Sequence, residues 1–248
     1  MTESAPKSFA DLIEQFETRR RTVTIYAPAL PEALIRLFET RHVELEHEFL
    51  PREASEPFLT VTDGDRYIGS VDLPAVYDFG HPKIHEIGAP DLVDAAYRRL
   101  TSLMPDTVFS SLDRRQLLAT SREFEDRAWR VGTGRLDVGF QQLSKVRPQR
   151  KVYTALCERG LDVHLYGVAD WLPSFDSGVT VHTDGAGLAD VWFMAYDGGA
   201  QPEQACGLVA EERSPGSFTG VWTYDPERVE QIFQVAARVP ARSESERP

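Results

Sequence analysis

Arg122 and Asp126, Glu123 and Arg127, and Asp126 and Arg130 stand four residues apart in a single helix-like run. Residues at that spacing are neighbours on a helix surface, where opposite charges form ladders worth about 0.2–0.5 kcal/mol a pair. The same guanidinium groups can instead grip a carboxylate or phosphate through two parallel hydrogen bonds. Trp129 brings an indole that either stacks on a planar ligand or packs in the core. Phe140 and Gln141 from the strand that follows complete a candidate ligand-binding set: Arg122, Asp126, Trp129, Arg130, Phe140 and Gln141. The chemistry is recognition of a small anionic or planar ligand. A purely structural salt-bridge ladder is the competing reading of the same residues.

Other reactive residue types lack the spacing that chemistry needs. His81 and His85 in HPKIH, with Glu86 adjacent, are the one imidazole pair that resembles a metal site, and Pro82 disfavours the helix that would make them face each other. Gly132-Thr133-Gly134 and Gly185-Ala186-Gly187 supply a G-x-G each, but neither leads from a strand into a helix with the third glycine of a dinucleotide site. No G-x-S-x-G elbow occurs. Glu211 and Glu212 are adjacent acids at a strand end and read as solvent-facing. Cys157 and Cys206 are the only thiols, too few for a disulfide framework. No catalytic residue, metal ligand or cofactor is assigned, and the expectation is a protein that is not an enzyme.

The charge distribution points the same way. Asp113–Lys151 holds ten cations against five anions in a chain of net charge −12. A positive band on a negative body suits an anionic ligand or an acidic partner. The overall charge disfavours nucleic acid. Carboxylate excess with only four lysines, Lys7, Lys83, Lys145 and Lys151, fits a halophilic cytosol where salt screens self-repulsion. MTESAPKSF has no apolar signal core, and no run of about 18 apolar residues occurs, so a soluble, cytoplasmic protein without a membrane partner is expected.

The elements that position these residues follow from periodicity. Phe9, Leu12, Ile13 and Phe16 predict a helix leading into the strand Val23–Tyr26, and Val152, Leu156 and Cys157 predict a helix leading into Val163–Tyr166. Alternating strands follow in both places, at Val43–His47 and Val179–His182. Each is succeeded by a hairpin: Phe58–Thr62 with Arg66–Val71 around Asp63-Gly64, and Val191–Tyr196 with Ala205–Glu211 around a longer loop. Helices over Asp91–Met104 and Pro226–Ala237 close the two units. Phe218–Tyr224 is one extra strand. Between the units lie the strand Thr107–Leu112, a long helix over Asp113–Val131 opened by an Asp113/Gln116 capping box, and a strand through Leu136, Val138 and Phe140. The fold class expected is mixed α/β (α+β): two related α/β halves, each with a small mixed sheet, joined by a long central helix. The divisions are a mobile N-terminus at 1–7, an N-terminal half at 8–105, a second half with the central helix at 106–238, and a disordered tail at 239–248.

Ser121-Arg122-Glu123-Phe124-Glu125-Asp126-Arg127-Ala128, followed by Leu136-Asp137-Val138-Gly139-Phe140-Gln141, resembles the DICT sensory domain. Tyr153, the strand Val163–Gly167 and the strand containing Trp192 extend the resemblance, which is best over about Asp106–Ala237. The acidic, lysine-poor make-up and the preceding YAP-type half resemble haloarchaeal members. The resemblance implies an α+β sensor module with a link to light responses, and it carries no catalytic residues to transfer. No cyclase, kinase or DNA-binding output is expected after Ala237 or before Phe9, so a stand-alone module would signal through a separate output protein. The function expected is a sensory or regulatory module binding a small anionic or planar ligand or a partner protein. The alternatives are an interaction adaptor presenting Trp171, Leu172 and Phe175, and an α/β enzyme.

Overall fold

The computed structural model describes residues 6–16, 21–77, 99, 102–104, 106–176, 178–183 and 187–238. The HPKIH histidines, the tail 239–248 and most of the Asp91–Met104 helix expected from sequence lie outside the described residues, as do residues 1–5 and 184–186.

Two sheets organise the chain. The smaller has the order β2-β1-β3-β4, built from β1 (Arg21–Ala27), β2 (Val43–Phe49), β3 (Phe58–Asp63) and β4 (Arg66–Asp72). β1 pairs parallel to β2 and antiparallel to β3, and β3 and β4 form the hairpin expected around Gly64, whose φ is 57°. Val23, Ile25, Leu59 and Val61 alternate inward, beneath helices α2 (Glu32–Glu39) and α3 (Leu73–Tyr77). Tyr26 and Phe58 stack on the opposite face, their centroids 4.7 Å apart.

The larger sheet has seven strands in the order β5-β11-β10-β9-β6-β7-β8. These are β5 (Thr107–Asp113), β6 (Gly134–Gln142), β7 (Leu161–Val168), β8 (Thr180–Thr183), β9 (Val191–Tyr196), β10 (Cys206–Ser214) and β11 (Ser217–Thr223). Helices α4 (Arg114–Val131) and α5 (Arg150–Arg159) pack on one face, over Leu136, Val138, Leu165 and Leu208. On the other face α1 (Phe9–Phe16) and α6 (Pro226–Ala236) bury Phe193, Val209 and Val221, with Phe9 stacked on Phe193 at 4.5 Å. α1 therefore packs on the large sheet although it precedes the first strand of the small one. The chain is a mixed α/β fold with two sheet-bearing regions joined by helices.

The order of the small sheet reappears in the large one. β8-β7 and β9-β10 repeat the parallel and antiparallel pairings of β2-β1 and β3-β4, with β6 interposed between β7 and β9. As an interior strand, β6 is buried from Leu136 to Gln141 on both faces, and its polar residues must find internal partners. Gly139 pairs with Phe193, and a Cβ there would lie 2.1 Å from the Phe193 ring, so only glycine admits the ring across the strand.

α4 begins as its capping box dictates. The Asp113 carboxylate accepts from the Gln116 N–H at 2.9 Å, and the Gln116 side-chain oxygen accepts from the Asp113 N–H at 3.0 Å. The helix stops at Gly132, which is left-handed at φ 75° and donates back to the Ala128 carbonyl. Among the described residues no helix is long and apolar enough to cross a membrane.

Candidate functional site

α4 runs along the large sheet with Leu117, Phe124 and Ala128 in the core, and this fixes where its charged residues point. Arg122 is directed toward the turn that follows β6. Its guanidinium donates to Glu125 on its own helix and to the side-chain oxygen of Gln149. Glu125 is buried and also accepts from the Tyr153 hydroxyl of α5 at 2.6 Å. Burial pushes the Glu125 carboxyl above its ordinary range, opposed by the adjacent Arg122 charge and the Tyr153 hydrogen bond. Tyr153 is raised further still by its own burial and by the Glu125 charge.

Beside this pair lies a slot between α4 and the sheet, enclosing about 40 Å³, room for a few water-sized atoms. Leu118 and Ser121 form its helix side, and Phe140, Trp192 and Met194 its sheet side. Phe140 and Trp192 are direct cross-strand neighbours. Arg114, Gln141, Lys145 and Gln149 rim it. Lys145 donates to the Gln141 side-chain oxygen, while Gln141 donates to Glu212 at 2.5 Å. Burial holds the Lys145 ammonium below its usual range, partly offset by Glu212. The Ser121 hydroxyl and the Trp192 indole N–H are buried and meet no hydrogen-bond partner.

The six residues singled out from sequence fall into two groups. Phe140 and Gln141 line the slot, and Arg122 reaches it indirectly by holding Glu125 and Gln149. Asp126, Trp129 and Arg130 stand outside the residues that line it. Arg130 bonds Asp126 at 3.3 Å and lies 3.7 Å from Glu123, which Arg127 approaches at 3.5 Å. Trp129 packs against the core with the Arg159 guanidinium over its ring at 5.5 Å. Two of the three expected i, i+4 pairs are present, and Arg122 takes Glu125 in place of Asp126. Of the acids at the end of β10, Glu211 pairs with Arg213 at 2.8 Å, and Glu212 accepts from Gln141 and from the Gly216 N–H.

Sequence reasoning passed over Ser121, Lys145 and Trp192 as site residues. It also missed a polar cluster on β6–β7–β8. Asp137 is fully buried and accepts from Arg135 at 2.7 and 2.9 Å and from Tyr166 at 2.7 Å. His182 lies flat on Tyr166, 4.2 Å between centroids, and its Nε2 is 2.8 Å from His164 Nδ1. Burial first and His164 second lower His182 to about 4. The signal available was the register: Asp137, His164, Tyr166 and His182 sit at alternating positions of strands that pair side by side.

This is a mixed α/β module with a donor-rimmed slot between its longest helix and its main sheet. Residues 95–213 match the family model for DICT, the sensory domain in diguanylate cyclases and two-component systems. The matched segment includes β5 through most of β10, with α4, α5 and every residue lining the slot. Among curated proteins nothing matches. A crystal structure of polyphosphate kinase from Porphyromonas gingivalis is similar at a TM-score of 0.38 and 13% identity over 95% of this chain. The chain spans 50% of that protein's length, and a likeness this distant bears on neither fold nor chemistry.

Proposed function

We infer that the protein is a sensory or regulatory module whose input is a small anionic or planar ligand held in the slot between α4 and the large sheet. The family match supports the sensory class. The observation that carries the site is the pair of buried, unpartnered donors, Ser121 and Trp192, in a slot rimmed by Arg114 and Lys145. Buried donors left without an acceptor cost stability, and a bound acceptor removes that cost. On this reading residues 106–238, with α1 packed against their sheet, are the sensing half, and the rest of 8–105 rides on it.

A ligand wedged between helix and sheet changes their separation, and its differential affinity for the two separations is what shifts the population. The shift is read by a separate output protein. Supporting this route, the Ala119 side of α4 packs into the core of the small sheet, so α4 touches both regions. The adaptor alternative is less well supported: Trp171 and Phe175 pack against the main core, and Arg147 and Arg150 cover their rings at 4.7 and 5.7 Å.

Thermal-shift screening of nucleotides and organic anions, in dilute and in concentrated salt, tests the reading. A ligand is expected to raise the melting temperature of the wild type and to lose most of that effect in Lys145→Ala. A panel that leaves the melting temperature unmoved, or a shift equal in both proteins, removes the slot as the input site.

A further inference from the structure

Folding divides the chain's basic band in two. Arg122, Arg127, Arg130 and Arg135 close ion pairs within the chain. Arg114, Arg147, Arg150 and Lys151 are exposed, and among the described residues none of them meets a carboxylate within ion-pair reach. Lys145 is half-buried and donates to Gln141. Arg115 stands apart: one turn before Ala119, it lies on the side of α4 that faces the small sheet.

Topology brings the exposed cations to one end of the large sheet. Antiparallel pairings lead from β5 through β11, β10 and β9 to β6, and β7 is parallel to β6, so β5, β6 and β7 point the same way. The segments that follow them share that end. They are the first turn of α4 after β5, the Leu143–Gln149 turn and the first turn of α5 after β6, and the loop holding Trp171 and Phe175 after β7. The charge of Arg114 acts on both Lys145 and Glu212, so α4 and the turn after β6 are close there.

Two features direct this end outward. Neither α4 nor α5 has an acid in its first turn; Arg114, Arg150 and Lys151 stand where the helix dipole favours negative charge. The acids nearby serve the fold. Asp113 caps α4, Asp170 accepts from the Ser144 N–H at 2.9 Å, Glu212 accepts from Gln141 and the Gly216 N–H, and Glu211 pairs with Arg213. Asp176 and Asp190 are the exposed acids left over. The guanidinium groups of Arg147 and Arg150 are also held, over the rings of Trp171 and Phe175, and Arg150 donates to the Ser174 carbonyl. Packing on a ring restricts a guanidinium without consuming its N–H donors, so less freedom is lost when a carboxylate takes them.

We propose that this end of the sheet docks an acidic segment of a separate protein, its carboxylates taken by Arg147 and Arg150 with Arg114 and Lys151 flanking them. The assignment rests on the reading that a separate output protein receives the signal, and it holds wherever the input site lies. A nucleic acid carries the same sign of charge over a longer path, so it meets the −12 body as well as the patch. A short acidic segment stays within the screening length of the cations.

The experiment uses the full chain in dilute salt, with labelled hexaglutamate as the probe and a short thymidine oligonucleotide as its rival, followed by fluorescence anisotropy. Hexaglutamate is expected to bind the wild type and to weaken about tenfold or more when Arg147→Glu and Arg150→Glu are combined. It should change little when Arg52→Glu and Arg66→Glu are combined, which alters the net charge equally at exposed positions of the small-sheet region. Arg147→Lys with Arg150→Lys keeps both charges, removes the forks and is expected to fold and to weaken binding about threefold. Unchanged affinity in that lysine pair overturns the role given to the guanidinium groups. Hexaglutamate that fails to bind, or that weakens equally in both glutamate pairs, overturns the docking surface. An oligonucleotide that binds at least as tightly overturns the acidic-protein partner. None of these results touches the thermal-shift test of the slot, so the two readings fail separately.

Discussion

Arg122 and Arg130 lie about two turns apart on the same helix, each beside a carboxylate, and their surroundings differ sharply. The Arg122 side chain is 12% exposed and its partner Glu125 is 2% exposed, while Arg130 is 44% exposed. At the first site the ion pair is enclosed by α5 and the turn after β6, so water contributes little and each oxygen of Glu125 needs a protein donor. At the second, solvent reaches the guanidinium and competes with Asp126 and Glu123. Arginine–carboxylate pairing thus makes an enclosed wall at one end of the helix, while at the other the Arg130 guanidinium meets water above Glu123 and Asp126, whose side chains are only 1% and 10% exposed. Burial, more than the pairing itself, decides which charges shape a site.

The largest test of that contrast is Arg122→Ala. It strands a buried carboxylate with a single remaining donor, and a loss of about 3–5 kcal/mol is expected by denaturant unfolding. Combining it with Glu125→Gln should recover much of that loss, because the uncompensated charge goes as well. A cost below about 1 kcal/mol for the single substitution would erase the distinction between the two ends.

The β7–β8 edge gives an intermediate point, a buried imidazole facing a second imidazole, with the Asp137 and Arg135 charges acting on it in opposite senses. His182 titrates at about 4 in the folded protein against 6.5 for a free imidazole, because burial and His164 disfavour its cation. Its neutral form is the one the fold accommodates, so the stabilisation is intact above pH 6.5 and declines as pH falls toward 4. Allowing for partial solvent screening, about 2 kcal/mol should disappear across that window. His182→Gln should flatten this part of the stability profile, and an unchanged profile would show that the imidazole pair is not what acid attacks.

The smallest effect belongs to Arg130→Ala, within about 0.5–1 kcal/mol and shrinking with added salt. A loss rivalling that of Arg122→Ala would mean that the exposed end is as structural as the enclosed one.

What the sequence disclosed follows the range of each interaction. The capping box, Glu123–Arg127 and Asp126–Arg130 are contacts within one helix and were readable from spacing. Arg122 chose Glu125 over Asp126 because Gln149 and Tyr153, 27 and 28 residues away from the groups they bond, draw both side chains inward. Ser121 and Trp192 carried no local mark of a site; only the closure of α4 over β6 and β9 sets them in one slot. The strands and most helices were legible from periodicity, while α2 was passed over behind Pro28 and Pro31. The insertion of β6 between β7 and β9 was not readable, because alternation in a strand specifies which face is apolar and leaves the neighbour open.

The small sheet is spliced to the large one at Arg41 and Phe109, where an isolated bridge forms and the His42 and Ser110 amides bond Val108 and Thr40 across it at 2.8 and 2.7 Å. Arg41 is buried there, its guanidinium over the Trp222 ring at 6.0 Å. A backbone weld of this kind is stiff in shear and brittle in opening, so any rearrangement that parts the two sheets must break it early. Deuterium uptake at His42 and Ser110 is therefore a strain gauge for the whole molecule: slow exchange means the sheets travel together, and a burst on ligand addition means they separate.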